Sequence, residues 1–174
     1  ATVEEWQNEG RGVYAVINDG GDTDSEITKC RAVFCEWDDR PKEWQVDAWK
    51  DLGLPEPTIQ VDTGGKSIHN YWVFAEPISV DDWKSLQTRL LDHADADRSL
   101  KNPSRVMRLP RTFHIDANGQ PGWRTCIIHT SDTYYSARDI EKSLPSKKMH
   151  DKMVEANRYT DYKPRALDEI RAAL

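Results

Sequence analysis

The sequence predicts an α/β (α+β) sandwich, and three observations carry that prediction. Short, β-rich apolar runs recur between loops, at residues 12–18, 31–39, 58–62, 68–74 and 123–129. Between them lie segments with apolar residues at helical spacing, at 42–52 and 79–93. At 174 residues, with seven tryptophans, the chain is long enough to bury one substantial core. About four or five strands alternating with helices build a layered sheet, and a sheet open on one side lets separate strands contribute to one site.

Thr2 is placed to cap a short helix ending near Gly10, and residues 12–18 form a first strand. The Gly/Asp-rich loop 19–25 holds Asp22 and Asp24 but lacks a calcium-loop pattern, so these acids are read as solvated. The stretch around which the chain is organised follows at 31–39, Arg-Ala-Val-Phe-Cys-Glu-Trp-Asp-Asp. Strand alternation puts Glu36 and Asp38 on one face and Val33, Cys35 and Trp37 on the other. Two carboxylates about 7 Å apart at the end of an apolar run are costly to desolvate unpaired. A hard divalent cation, which prefers oxygen ligands, offsets that cost. The alternative is a strand that ends in solvated acids.

Residues 42–52 put Trp44, Ala48, Trp49 and Leu52 on one helical face, assigned to the core, and Gly53 stops the helix. The strand at 58–62 leads into Thr63-Gly-Gly-Lys-Ser67 and a third strand at 68–74. Gly-Lys-Ser is not a phosphate loop, because that motif needs a glycine where Gln60 stands. What remains is a glycine turn feeding a strand with Ser67, His69 and Tyr71 on one face. A strand histidine is ordinarily a satisfied core or surface residue. Here the preceding glycines let a ligand approach the backbone closely.

Ser79 and Asp82 resemble a capping box, and Trp83, Leu86 and Leu90 continue one helical face to about His93. After Asp92-His-Ala-Asp-Ala-Asp97 comes a basic stretch, with four arginines, one lysine and no acid between Arg98 and Ile115. That asymmetry within a chain of net charge −6 suits anionic oxygens, a triphosphate or a nucleic-acid backbone. The alternative is a set of arginines pairing acids elsewhere on the surface. A turn at 119–122 precedes the last strand, 123–129, and Ser136 begins a helix to Leu144. Residues 147–174 are helical and charged, interrupted near Tyr162-Lys-Pro164, and read as packing or linker.

The totals set outer bounds. A net charge of −6 argues against nonspecific coating of nucleic acid over the whole surface. Three cysteines, Cys30, Cys35 and Cys126, lack metal-type spacing and indicate a reduced, cytoplasmic setting. No apolar run approaches the roughly 20 residues of a membrane span. A start without Met and an end within the helical pattern 165–174 lead us to expect a domain of something longer.

Three elements in this order resemble the archaeo-eukaryotic primase superfamily, specifically the primase-polymerase domains of phages and plasmids. They are Glu36-Trp-Asp38, Ser67-Ile-His69 and Ala96-Asp97, the last followed by Arg105-Val-Met-Arg-Leu-Pro110. Gly64-Gly65 before the Ser-x-His pair and Tyr71-Trp72 after it fit the same branch, and the matched region runs from about Val13 to Trp123. Two departures stand out: Glu36 where Asp is commoner, and Arg111-Thr112 where Gly-Thr often follows Leu-Pro.

The resemblance implies a catalytic fold built on an RNA-recognition-motif-like sheet, with residues 1–145 as the primase-polymerase domain and 146–174 as its helical extension. It implies template-directed nucleotidyl transfer, as primer synthesis, DNA extension or both, in phage or plasmid replication within a bacterial or infected cytoplasm. Two divalent ions, Mg²⁺ or Mn²⁺, would be held by Glu36, Asp38 and Asp97. Ser67 and His69 would bind the incoming dNTP or NTP, and Arg105, Arg108 and Lys66 would neutralise its triphosphate or contact the template. Single-stranded DNA, a primer and a helicase domain or protein are the implied partners, and Asp39, Asp62 and Asp95 are rival carboxylates. Two other readings compete. A rolling-circle initiator nuclease could use Tyr134 or Tyr135, but it needs two metal-binding histidines one residue apart. None of His69, His93, His114, His129 and His150 has such a partner. A non-catalytic nucleic-acid-binding sheet wants exposed aromatics and basic residues where this chain has carboxylates and a histidine.

Overall fold

In the computed structural model, which describes residues 2–160, the first helix α1 (Val3–Asn8) starts where Thr2 and Glu5 bond reciprocally as a capping box. The chain then runs β1 (Tyr14–Val16), β2 (Cys30–Cys35), α2 (Lys42–Asp51), β3 (Ile59–Asp62), β4 (Ile68–Ile78) and α3 (Val80–His93). A 3₁₀ helix (Arg98–Lys101) leads to β5 (Val106–Arg108), β6 (Phe113–Ile115), β7 (Pro121–Arg124), β8 (Cys126–Thr130), α4 (Ala137–Lys142) and α5 (Lys147–Thr160). The main sheet has the order β2-β4-β3-β8, while β1 with β5 and β6 with β7 form separate two-stranded ribbons. Every strand pair is antiparallel, as an α+β chain of this kind predicts. The described residues fall into two compact units, divided between Leu144 and Pro145. In the second, α5 begins with Ser146 accepting the Met149 N–H and the His150 N–H.

Helix α3 closes the exposed edge of the sheet. β2 is an edge strand, so alternate N–H and C=O groups along it have no ladder partner. The Trp83 indole donates to Ala32 O at 2.7 Å. The Gln87 amide accepts from Phe34 N at 3.1 Å and donates to Phe34 O at 2.7 Å. Both side chains are buried, so the helix fills the core with Trp83, Leu86 and Leu90 while satisfying the strand that it covers.

Several expectations need correction. β2 ends at Cys35, so Glu36 and Asp38 lie in the loop beyond it, not on a strand face. The strand is also buried on both sides, Val33 and Phe34 alike, so it shows no polar face to read. The expected strand at 123–129 is two strands parting at Thr125. That residue is fully buried and holds Thr112 O by its N–H and Thr63 O by its hydroxyl. The chain there leaves its hairpin with β6 and joins the main sheet beside β3. Eight strands stand among the described residues. β5 and β6 went unread because strands of three residues carry too few side chains to show alternation. Trp44, Trp49 and Leu52 pack against the core from its margin, and the fully buried member of their helix beside Ala48 is polar Gln45. The break at 162–164 and the helical pattern 165–174 lie outside the described residues. Among the described residues no helix is long and apolar enough to cross a membrane.

Candidate active site

One pocket of about 330 Å³ gathers nearly every side chain that the sequence singled out. Glu36 and Asp38 reach it from the loop after β2, Lys66, Ser67 and His69 from the start of β4, and Asp97 from the cap of the 3₁₀ helix. Arg105 and Arg108 enter from β5 and the turn before it. Tyr14, Ser99 and His114 line it too, and these the sequence reading did not assign to the site.

Buried anchors place the acidic loop. Trp37, between the two acids, is buried and donates its indole N–H to Ala94 O at 3.0 Å. Asp97 N donates to Glu36 O at 3.1 Å. The first acidic loop and the third acid, some sixty residues apart in sequence, are thereby stitched backbone to backbone. Gln45 does the same for the glycine turn, donating to Arg40 O at 2.7 Å and Lys66 O at 3.1 Å and accepting from Ile68 N at 2.7 Å. The turn also ties itself together, with Thr63 Oγ1 donating to Ser67 O at 2.8 Å and Gly64 N donating to Asp62 at 2.8 Å.

The two glycines also make room for a neighbouring segment of the chain, and Gly65 lines the pocket besides. A Cβ on Gly64, whose φ is +69°, would stand 2.3 Å from Trp123 O, and one on Gly65 would stand 2.7 Å from the His114 ring. What approaches this backbone is the β6–β7 hairpin, and only glycine leaves it room.

Each carboxylate of the trio holds a hydrogen of its own neighbour. Glu36 Oε2 meets His69 Nε2 at 3.0 Å, with side chains 15% and 7% exposed. A carboxylate only accepts, so this Nε2 carries the hydrogen. The second ring nitrogen, Nδ1, lies 3.1 Å from the Tyr71 hydroxyl. Burial, reinforced by the Glu36 charge, pushes the Tyr71 phenol up, so it stays protonated and serves as the donor. Asp38 Oδ1 accepts from the Ser67 hydroxyl at 2.6 Å. Asp97 accepts from Ser99 N at 2.8 Å and Ser99 Oγ at 2.6 Å. Glu36 and Asp38 each keep an oxygen with no hydrogen-bond partner among the described residues.

Three carboxylates in one pocket are the donor chemistry of a hard divalent cation. The cage is not preassembled: among the described residues no three acidic, imidazole or thiol groups are gathered into a metal-binding cluster. The rival acids have other duties. Asp62 pairs with Lys42 and caps Gly64, Asp95 contacts Arg98 at 3.3 Å, and Asp39 is exposed.

The basic residues divide in two. Arg98 is spent on Asp92 at 2.9 Å and on Asp95, which corrects its share in an anion-binding stretch. Arg105 and Arg108 instead line the pocket, and each holds one buried nitrogen, Nε and Nη1 respectively, with no hydrogen-bond partner. Arg105 is held by a bond from its other end to Ser99 O, and the Arg108 guanidinium lies 4.8 Å from the Tyr14 ring centroid. A buried guanidinium nitrogen without an acceptor costs about 1–3 kcal/mol or more, and an anion relieves it. Neither tyrosine of the nuclease reading lines the pocket: Tyr134 is exposed, and the Tyr135 hydroxyl donates to Glu56 O at 2.7 Å.

This chain is similar to the AEP domain of the cyanophage S-2L primase-polymerase (PrimPol). The two are 43% identical over 82% of this chain and 75% of that one, with a TM-score of 0.77. The primase RepB' shares the fold at 16% identity, covering 98% of this chain and 57% of that one, with a TM-score of 0.60. The RepB' catalytic domain in complex with initiator DNA does so at 16% identity over 92% and 75%, with a TM-score of 0.58. No family model matches the chain, and no curated protein matches it.

Proposed function

The chain belongs to the archaeo-eukaryotic primase superfamily as a domain of the primase-polymerase type, and from that premise we propose that its pocket carries out template-directed nucleotidyl transfer. The observation that carries this reading is the pairing of chemistries in one cavity: Glu36, Asp38 and Asp97 beside the unpartnered nitrogens of Arg105 and Arg108. Carboxylates alone would suit a bare metal site, and arginines alone an anion site. A nucleoside triphosphate with its divalent cations needs both.

Mg²⁺ or Mn²⁺ would be held by Glu36, Asp38 and Asp97, and such ions activate the attacking 3′ hydroxyl and stabilise the leaving pyrophosphate. The chain's own residues do the positioning. Arg105 and Arg108 receive phosphate oxygens, with Arg108 braced on Tyr14. Lys66, exposed on the clamped turn, adds charge at the pocket. Ser67 orients Asp38, and its hydroxyl keeps lone pairs for a donor on the substrate. His69 orients Glu36 and reaches a phosphate by passing its Nε2 hydrogen bond from the carboxylate to the nucleotide. Single-stranded DNA is the template and a helicase domain or protein the working partner.

The test is labelled-nucleotide incorporation on a single-stranded template, with and without a primer, with Mg²⁺ or Mn²⁺ and each nucleotide type in turn. Metal-dependent, template-directed products are expected. Their absence under every combination would contradict the proposal.

A further inference from the structure

Two histidines line the pocket, and they are not equivalent. His69 has both ring nitrogens engaged, Nε2 with Glu36 at 3.0 Å and Nδ1 with the Tyr71 hydroxyl at 3.1 Å. His114 has a buried Nδ1 with no hydrogen-bond partner. Its ring is nonetheless held firmly in place. The Gly65 backbone lies against it so closely that a Cβ there would meet Nδ1 at 2.8 Å. Its neighbour Phe113 is clamped by Gln7, which donates to Phe113 O at 2.9 Å and accepts from Phe113 N at 2.7 Å.

The other buried unpartnered nitrogens of the pocket, Arg105 Nε and Arg108 Nη1, can only donate. One occupant that answers all three must bring several acceptors and negative charge, which is the chemistry of a phosphate chain. We infer that His114 is a substrate-contacting residue whose Nδ1–H hydrogen-bonds a phosphate oxygen of the incoming nucleotide, alongside Arg105 and Arg108. This rests on the nucleotidyl-transfer reading. His114 Nδ1 has no partner to give up, whereas His69 must first release Glu36. A phosphate of the DNA backbone presents the same oxygens, so the test separates the two sources.

The experiment measures affinity of the wild type and of His114→Ala, His114→Asn and His114→Gln for a deoxynucleoside triphosphate, for inorganic tripolyphosphate and for a single-stranded oligonucleotide, with melting temperatures alongside. Loss of one charge-assisted bond weakens His114→Ala binding of both triphosphates about ten- to a hundred-fold, with oligonucleotide affinity and melting temperature unchanged. His114→Asn recovers most of the loss, because its amide nitrogen falls near the place of Nδ1, and His114→Gln recovers less. Gly65→Ala, which would push the ring aside, weakens triphosphate binding in the same sense. Unchanged triphosphate affinity in His114→Ala overturns the inference. So does a loss confined to the oligonucleotide, or one that follows a lowered melting temperature and is not rescued by Asn. Primer extension by the wild type distinguishes the levels. A wild type that extends primers while His114→Ala binds triphosphate normally refutes His114 alone, and a wild type that neither binds triphosphate nor extends refutes the reading beneath it.

Discussion

Replacing Gln45 with leucine should cost the fold several kcal/mol although the side chain keeps nearly its shape. The leucine fills nearly the same volume, so the loss is polar: the carbonyls of Arg40 and Lys66 and the N–H of Ile68 lose their partner together. Gln45 is fully buried. A buried unsatisfied group costs about 1–3 kcal/mol, with Ile68 N toward the top of that range and the two carbonyls, nearer solvent, toward the bottom. The total is about 4–5 kcal/mol, against a typical stability of about 5–15 kcal/mol, and lowers the melting temperature by roughly 10–15 °C. Gln7→Leu is the control. Gln7 makes the same two-way amide contact with Phe113 but in a partly exposed place, so its loss should cost under about 1 kcal/mol. Thermal and denaturant unfolding followed by tryptophan fluorescence gives both numbers. Because Gln45 also fixes the turn bearing Lys66 and Ser67, triphosphate affinity should fall in the same variant below its melting range. A Gln45→Leu protein melting within about 3 °C of the wild type would refute the clamp.

Three further outcomes follow from the same contacts. Trp37→Phe removes the indole bond to Ala94 O and should cost about 1–2 kcal/mol in denaturant unfolding. Incorporation should fall further than stability does, because the stitched acidic loops loosen; an active variant that is merely less stable would count against the stitching. Stability should decline as pH rises above about 9, where unfolded thiols lose their protons. Burial pushes the Cys30 thiol up to about 12 and holds Cys35 higher still, so the folded chain keeps protons that the unfolded chain gives up. Each such thiol contributes about 1.4 kcal/mol of lost stability per pH unit, with Tyr71 adding to it above about 10, and a flat melting temperature from pH 8 to 10.5 would contradict this. Finally, single-stranded DNA binding should be modest with a shallow salt slope. Arg98 is committed to acids and Arg105 and Arg108 face the pocket, so few cations remain for backbone phosphates; tight binding that persists at high salt would refute it.

The parts of the fold legible in the sequence were those whose signal is local. Ser79 and Ser136 cap helices where their side chains predict. Gly53 ends α2 in the left-handed region. The pocket was legible as an ordered set of residue types, since Glu36, Asp38, Ser67, His69, Asp97, Arg105 and Arg108 all line it. What stayed hidden depends on contacts distant in sequence. Nothing near Gln45 or Gln87 announces that a polar side chain will be fully buried, because their partners are backbone groups of other segments. His114 lies on a strand of three residues, and Gly65, which makes room for it, is about fifty residues earlier. The packing of the hairpin on Gly64 and Gly65 is therefore not legible in their own stretch of sequence. The split at Thr125 was invisible for a related reason: a run of apolar residues shows that strands are present, not which neighbours they choose.

On the proposed function, the three acids drive metal-dependent transfer and do not serve only to hold the loops together. The most direct measurement is nucleotide incorporation by Asp38→Asn and Asp97→Asn beside the wild type, with melting temperatures of all three. Asparagine keeps the shape and can still accept from Ser67 or Ser99, so the fold should survive nearly unchanged. Loss of a metal-ligand charge removes several kcal/mol of transition-state stabilisation, so incorporation should drop by about a thousand-fold or more. Wild-type incorporation rates in either well-folded variant would contradict the account.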